Sequence, residues 1–203
     1  MYKFIRILLL SLFCTSLAYG FPSQVIIVRH ADKLAQSDPG NALSPKGLLQ
    51  SIAFALYYDD KFGEPDFMFA AHPKKSNETK SIRELQTLGP LANLLTMRHP
   101  DNSASIFHPY TRSEYADLAK LILTDKKFNG KRVLVCWSHD YIPQLARKLG
   151  VTQPIEKWED TDFDSVYILK YDEQGVVTDF TILHHQYNVN FVGSWRDLYN
   201  RLM

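Results

Sequence analysis

Two short apolar runs, Val25-Ile26-Ile27-Val28 and Val133-Leu134-Val135-Cys136-Trp137, constrain the fold of this chain more than any other feature. Both are free of charge and rich in β-branched residues, so each reads as a buried strand. Helix-like segments alternate with them. Ser44-Pro45 opens one, with serine as the cap and proline in the first turn, and Leu48, Leu49, Ile52, Ala53 and Leu56 recur at helical spacing. A second strand is expected over Asp66 to Ala71, and a helix from the polar stretch Lys74 to Thr79 as far as Leu95. Ser105 to Phe107 reads as a short strand, and Thr111 as the cap of a helix reaching Leu123. Asn129-Gly130 turns the chain into the strand Arg132 to Trp137, and a helix from Ile142 is closed by Gly150. Ser165 to Tyr171 and Val176 to Leu183, joined at Glu173-Gln174-Gly175, read as a hairpin. The pattern predicts an α/β fold, a three-layer α/β/α sandwich around a mostly parallel, mixed sheet.

The reactive residues fall at the ends of these elements. Arg29-His30 follows the first strand directly, where a polar pair either caps a strand–loop junction or faces a ligand at the sheet's C-terminal edge. Ser138-His139-Asp140 follows the strand Val133 to Trp137 in the same way. Arg83 stands early in the helix after the second strand, where a helix start favours anions. Each of these residues alone is ordinary surface chemistry. Two arginines and two histidines converging on one edge suit a phosphate dianion, one histidine attacking phosphorus and the other stabilising charge.

These blocks resemble the histidine phosphatase superfamily, with its phosphoglycerate mutase-like fold. Val28-Arg29-His30-Ala31-Asp32-Lys33 is similar to the family's Arg-His-Ala-Glu-Lys, and Leu43-Ser44-Pro45-Lys46-Gly47 to its Leu-Thr-Pro-x-Gly. Arg83-Glu84-Leu85-Gln86-Thr87 resembles its Arg-x-x-x-Thr, and Val133 to His139 the strand carrying its second histidine. The resemblance spans Val25 to Gly150 in the right order. It implies that His30 is a nucleophile forming a phosphohistidine, which water then hydrolyses. Arg29, Arg83 and His139 would bind the phosphate oxygens, with no metal and no cofactor. A neutral His30 needs its other ring nitrogen held, and a backbone carbonyl would do this.

The general acid stays open. In the acid-phosphatase branch an Asp directly after the second histidine protonates the leaving group, and Asp140 stands there. In the mutase branch a Glu from the intervening segment does so, and Glu114 is the nearest candidate. Asp32, Glu84 or no dedicated acid are further options. The chain also departs from the family in Ala70-Ala71-His72-Pro73 and the longer loop through Thr79. Substrate selection is expected from Lys74 to Thr79, Met97 to Tyr110 and Gln153 to Phe163.

Residues 1–20 read as a signal peptide: Lys3 and Arg6, then an apolar stretch from Ile7 to Leu17, then Ala18-Tyr19-Gly20 before a cleavage at Phe21. The expectation is an exported, periplasmic or secreted protein whose domain spans 21–203, without stable membrane association once cleaved; an uncleaved leader would act as an anchor. Cys136 is then the one cysteine left, so no intramolecular disulfide is expected, and its apolar surroundings predict an inert thiol. A net charge of +1 and no stripe of alternating basic and aromatic residues argue against nucleic acid. His184-His185, adjacent on a strand, would point to opposite faces and chelate poorly. The expected partner is a small phosphorylated substrate, and oligomeric state is open. The expected activity is a phosphomonoesterase; the alternative is a catalytically weak relative that binds phosphate or phosphosugar.

Overall fold

A computed structural model describes residues 20–34, 41–73 and 81–187. The expected leader and the loop from Lys74 to Thr79 lie outside the described residues. Six strands form one sheet: β1 (Gln24–Arg29), β2 (Phe67–Ala70), β3 (Ile106–Phe107), β4 (Arg132–Trp137), β5 (Val166–Tyr171) and β6 (Val177–Leu183). Four helices connect them: α1 (Pro45–Phe62), α2 (Arg83–Arg98), α3 (Tyr115–Thr124) and α4 (Ile142–Lys148). The strand order is β3-β2-β4-β1-β5-β6. β1 pairs in parallel with β4 and antiparallel with β5, so the sheet is mixed as expected.

Alternation along the central strands sorts the core into two faces. Val25, Ile27, Val133, Val135 and Trp137 pack with Leu118 and Ile122 of α3 and Leu145 of α4. Ile26, Val28, Leu134 and Cys136 pack with Phe54 and Tyr58 of α1 and Leu88 and Leu91 of α2. This gives three layers. The chain winds from β1 through α1 and α2 towards β3, then returns through α3 and α4 across the other face to β5. The winding reverses between β1 and β4, and in open α/β sheets the crevice at such a reversal is the ligand site. Arg29 and Trp137 are register partners there, which brings His30 and His139 to the same edge.

The start of α1 is built as the sequence suggests. Ser44 caps α1, its Oγ accepting from the Gly47 N–H at 2.9 Å. Gly47 serves close approach: a Cβ there would lie 2.0 Å from the Asp32 carbonyl oxygen. Gly47→Ala is therefore expected to cost ~3 kcal/mol through overpacking against backbone and to loosen the loop after His30. Urea unfolding of the two proteins checks this.

Two expectations are corrected. Thr111 opens a short 3-10 turn, Arg112–Glu114, before α3 begins at Tyr115, because Glu114 folds back on it as a capping box. The first part of Met97 to Tyr110 does not border the site. His99 bonds Glu64, and Asn102 to Ser105 share a hollow with Pro65 and Asp66 ahead of β2, at the opposite edge of the sheet. A parallel β3 requires this, since its start lies beside the start of β2. The end of that segment does reach the site edge, where the Tyr110 carbonyl accepts from the His72 N–H.

Candidate active site

His30 is buried at the end of β1, and its Nδ1 lies 2.8 Å from the Ala31 carbonyl oxygen. A carbonyl only accepts, so Nδ1 carries the proton and Nε2 presents a lone pair. Burial, with Arg29, Arg83 and His139 adding to it, pulls the His30 pKa down to about 3, against the opposing Ala31 bond. The ring is thus neutral near physiological pH.

The loop bearing His30 is held from several sides. The Ala31 N–H donates to Thr87 Oγ1 at 2.9 Å, and the same hydroxyl donates to the Arg83 carbonyl at 2.8 Å. That pair of bonds is the physical content of the Arg83-x-x-x-Thr87 spacing: one helical turn separates the arginine from the hydroxyl that ties α2 to the His30 loop. The Asp32 N–H donates to Gln50 Oε1, and Ser44 Oγ donates to Asp32 Oδ2 at 2.8 Å, so the Asp32 carboxylate braces the start of α1.

Arg29 is fully buried. Its Nη1 lies 3.1, 2.8 and 2.8 Å from the carbonyl oxygens of Glu159, Asp160 and Asp162, two protons shared among three acceptors. Its guanidinium carbon stands 3.9 Å from the centre of the Phe163 ring, a cation–π contact. Burial lowers the Arg29 pKa to about 10, opposed by Asp160 and Asp162 among others, so it remains a cation at neutral pH. The loop Glu159 to Phe163 is in turn braced by Trp158 Nε1 and Ser165 Oγ, which donate to the Asp162 carbonyl and carboxylate.

His139 Nε2 lies 3.1 Å from Asp160 Oδ1 and 3.4 Å from Asp140 Oδ1. Among the described residues, the buried side-chain nitrogens with no hydrogen-bond partner are Arg29 Nε and Nη2, Arg83 Nε and His139 Nδ1. All four belong to the three residues whose charge bears on His30. Leaving a buried polar group unpaired costs about 1–3 kcal/mol, and four such nitrogens on residues that act on His30 could receive the oxygens of an anion.

The structure brings Arg29, His30, Arg83 and His139 together, with Asp140 at the rim, its side chain 56% exposed. The other candidate carboxylates have partners of their own. Glu114 Oε2 accepts from the Thr111 N–H and hydroxyl, each at 2.7 Å, as a helix cap. Glu84 is buried beside Cys136, its pKa raised by burial, and accepts from Ser81 Oγ. Burial likewise pushes the Cys136 thiol up. His184 and His185 lie just past β6 and face different partners, Ser165 Oγ and Asp164. Three contributors were not singled out from the sequence: Asp160, Phe163, and Arg112, whose charge reaches Arg83 and Glu84. Asp160 and Phe163 lie in the Gln153 to Phe163 stretch expected to select substrate, but neither side chain there stands out from a solvated acidic loop.

The fold has a close counterpart among solved structures: the protein histidine phosphatase SixA complexed with tungstate, TM-score 0.56, 20% identical, covering 79% of this chain and 96% of that one. This chain has the histidine phosphatase fold. Weaker likenesses are a mycobacterial glucosyl-3-phosphoglycerate phosphatase with inorganic phosphate (TM-score 0.48, 12% identity, 82% and 98% covered) and a phosphoglycerate mutase from Bacillus anthracis str. Sterne (0.47, 11%, 83% and 94%). No protein-family model matches the sequence, and no curated protein matches it. In this fold Arg29, His30 and His139 stand where β1 and β4 end, at the winding reversal, and Arg83 opens α2.

Proposed function

We propose that the chain is a phosphomonoesterase working through a phosphohistidine on His30. The observation that carries this is the set of four unpartnered buried nitrogens on Arg29, Arg83 and His139, the residues that act on a histidine kept neutral by burial, with its tautomer set by the Ala31 carbonyl. The His30 Nε2 lone pair attacks phosphorus and the ester P–O bond breaks. The positive charge developing on the ring is met at Nδ1–H by the Ala31 carbonyl. Arg29, Arg83 and His139 hold the phosphoryl oxygens as charge shifts among them. Water then attacks phosphorus and gives a proton back to the carboxylate that protonated the leaving group, the P–N bond breaks, and His30 recovers its lone pair with inorganic phosphate as product.

The leaving oxygen takes its proton from Asp140, which stands at the rim beside a hollow of about 410 Å³ bounded by Pro143, Gln144 and Arg147. The alternative acid, Glu114, takes part in the capping box of the turn before α3. Asp140→Asn is expected to slow hydrolysis of alkyl phosphates by about 10²-fold or more while sparing aryl phosphates, whose leaving groups need no proton. Equal loss on both, measured as kcat/KM, overturns that role. Fixed cations supply the electrostatics in this proposal, so turnover should survive chelators. We further propose export, on the strength of residues 1–20; amino-terminal sequencing of the mature protein, expected to begin at Phe21, tests it.

A further inference from the structure

We propose that Asp160 is a positioning residue that makes His139 a phosphate-binding imidazolium; this rests on the phosphomonoesterase reading above. The geometry starts from the two nitrogens of His139. Nε2 lies within hydrogen-bond distance of Asp160 Oδ1, at 3.1 Å, and a carboxylate there only accepts. Nε2 therefore carries a proton. In the neutral ring Nδ1 is then a bare lone pair, which repels an anion's oxygens. His139 can bind phosphate through Nδ1 only when both nitrogens are protonated, and Nδ1 is the buried atom without a partner.

The groups facing His139 pull in opposite directions. Burial and Arg29 disfavour the imidazolium and together hold the His139 pKa below the ordinary histidine value; Asp140 from its own turn and Asp160 from the opposite loop oppose them. Asp160 is the closer carboxylate, and Lys157 lies 3.9 Å from its Oδ1 on the solvent side. The backbone of Asp160 is no free loop: its carbonyl accepts from Arg29 Nη1 at 2.8 Å. One residue thus binds two phosphate-holding side chains, Arg29 through its main chain and His139 through its carboxylate. The two aspartates divide the work. Asp160 sets the proton on His139, and Asp140 remains available to the leaving group. Phosphate binding then takes up a proton on His139, and the alkaline limb of activity reports that proton.

Asp160→Asn keeps an acceptor and the main-chain clasp but removes the charge. Because the side chain is 74% exposed, the fold is expected to be unaffected. In the full chain, the His139 titration followed by imidazole NMR should fall by about one unit, the low end of what a lost opposite charge does. Affinity for inorganic phosphate at neutral pH should fall about tenfold. The alkaline limb of kcat/KM should move to lower pH by the same amount, and Asp160→Glu should restore most of each. An unchanged His139 titration in Asp160→Asn overturns the proposal. So does a loss of activity that shifts neither the titration nor the alkaline limb. If the wild-type chain turns over no phosphate ester, the phosphomonoesterase reading fails, while the NMR titration with inorganic phosphate still decides the role of Asp160.

Discussion

Replacing His30 with alanine is expected to reduce hydrolysis of an aryl phosphate by at least about 10³-fold, because once phosphate is bound no other side chain of the cluster keeps a free lone pair. The three surrounding residues are cations or become so, and cations do not attack phosphorus. The variant should still fold. The main bond lost is that between Nδ1 and the Ala31 carbonyl, and a bond of that kind contributes about 1 kcal/mol. Two measurements check the expectation. Kinetics should show the loss, and trapping with labelled substrate under alkaline quench, where phosphohistidine survives, should label the wild type and leave His30→Ala blank. A labelled His30→Ala overturns the assignment. The pH behaviour follows from the same burial. With its pKa lowered to about 3, folded His30 binds fewer protons than the unfolded chain between that value and the ordinary histidine range. Its contribution to stability is therefore complete above the ordinary histidine pKa and is lost as pH falls through about 3. The nucleophile stays neutral throughout the physiological range, so His30 should not produce an acid limb there.

Replacing Arg29 with lysine is expected to damage stability and catalysis together, although the charge is kept. A guanidinium satisfies two tasks at once here. Nη1 clasps the carbonyls of Glu159, Asp160 and Asp162, while Nε and Nη2 are buried without a partner and left for the proposed phosphate. An ammonium is a point charge and cannot span both, nor stack flat on Phe163. The carbonyls left without their donor should cost ~3 kcal/mol in stability. Once the clasp is lost, Asp160 no longer holds His139, so kcat/KM should fall by about 10²-fold or more. Denaturant unfolding and kinetics measure the two effects. Hydrogen exchange should show faster opening around Glu159 to Phe163, which a purely electrostatic role for Arg29 would leave unchanged.

Much of the fold was legible. Apolar β-branched runs leave few alternatives to buried strands, and a serine–proline pair leaves few alternatives to a helix start. The reactive residues were legible for a related reason: each stands at a strand end or in a first helical turn, where local structure alone aims it at one edge. The capping role of Glu114 was also written in Thr111-Arg112-Ser113-Glu114, although that glutamate also matched a candidate acid by position. The placement of Met97 to Ser105 was not readable, because a segment entering a strand can be assigned to a sheet edge only once strand direction is known.

By itself, the sequence determined an alternating α/β chain with two Arg/His-bearing strand ends and a helix that begins near an arginine. These are local properties, set by side-chain periodicity and capping within a few residues. The tertiary structure alone decided how the charges are shared. It folded Glu159 to Phe163, a stretch with no periodicity, back over Arg29 across more than a hundred residues of chain. It also set Asp160 closer than Asp140 to His139 Nε2. Hydrogen bonds between segments so distant leave no local pattern, because both partners are ordinary polar residues until the sheet brings them together.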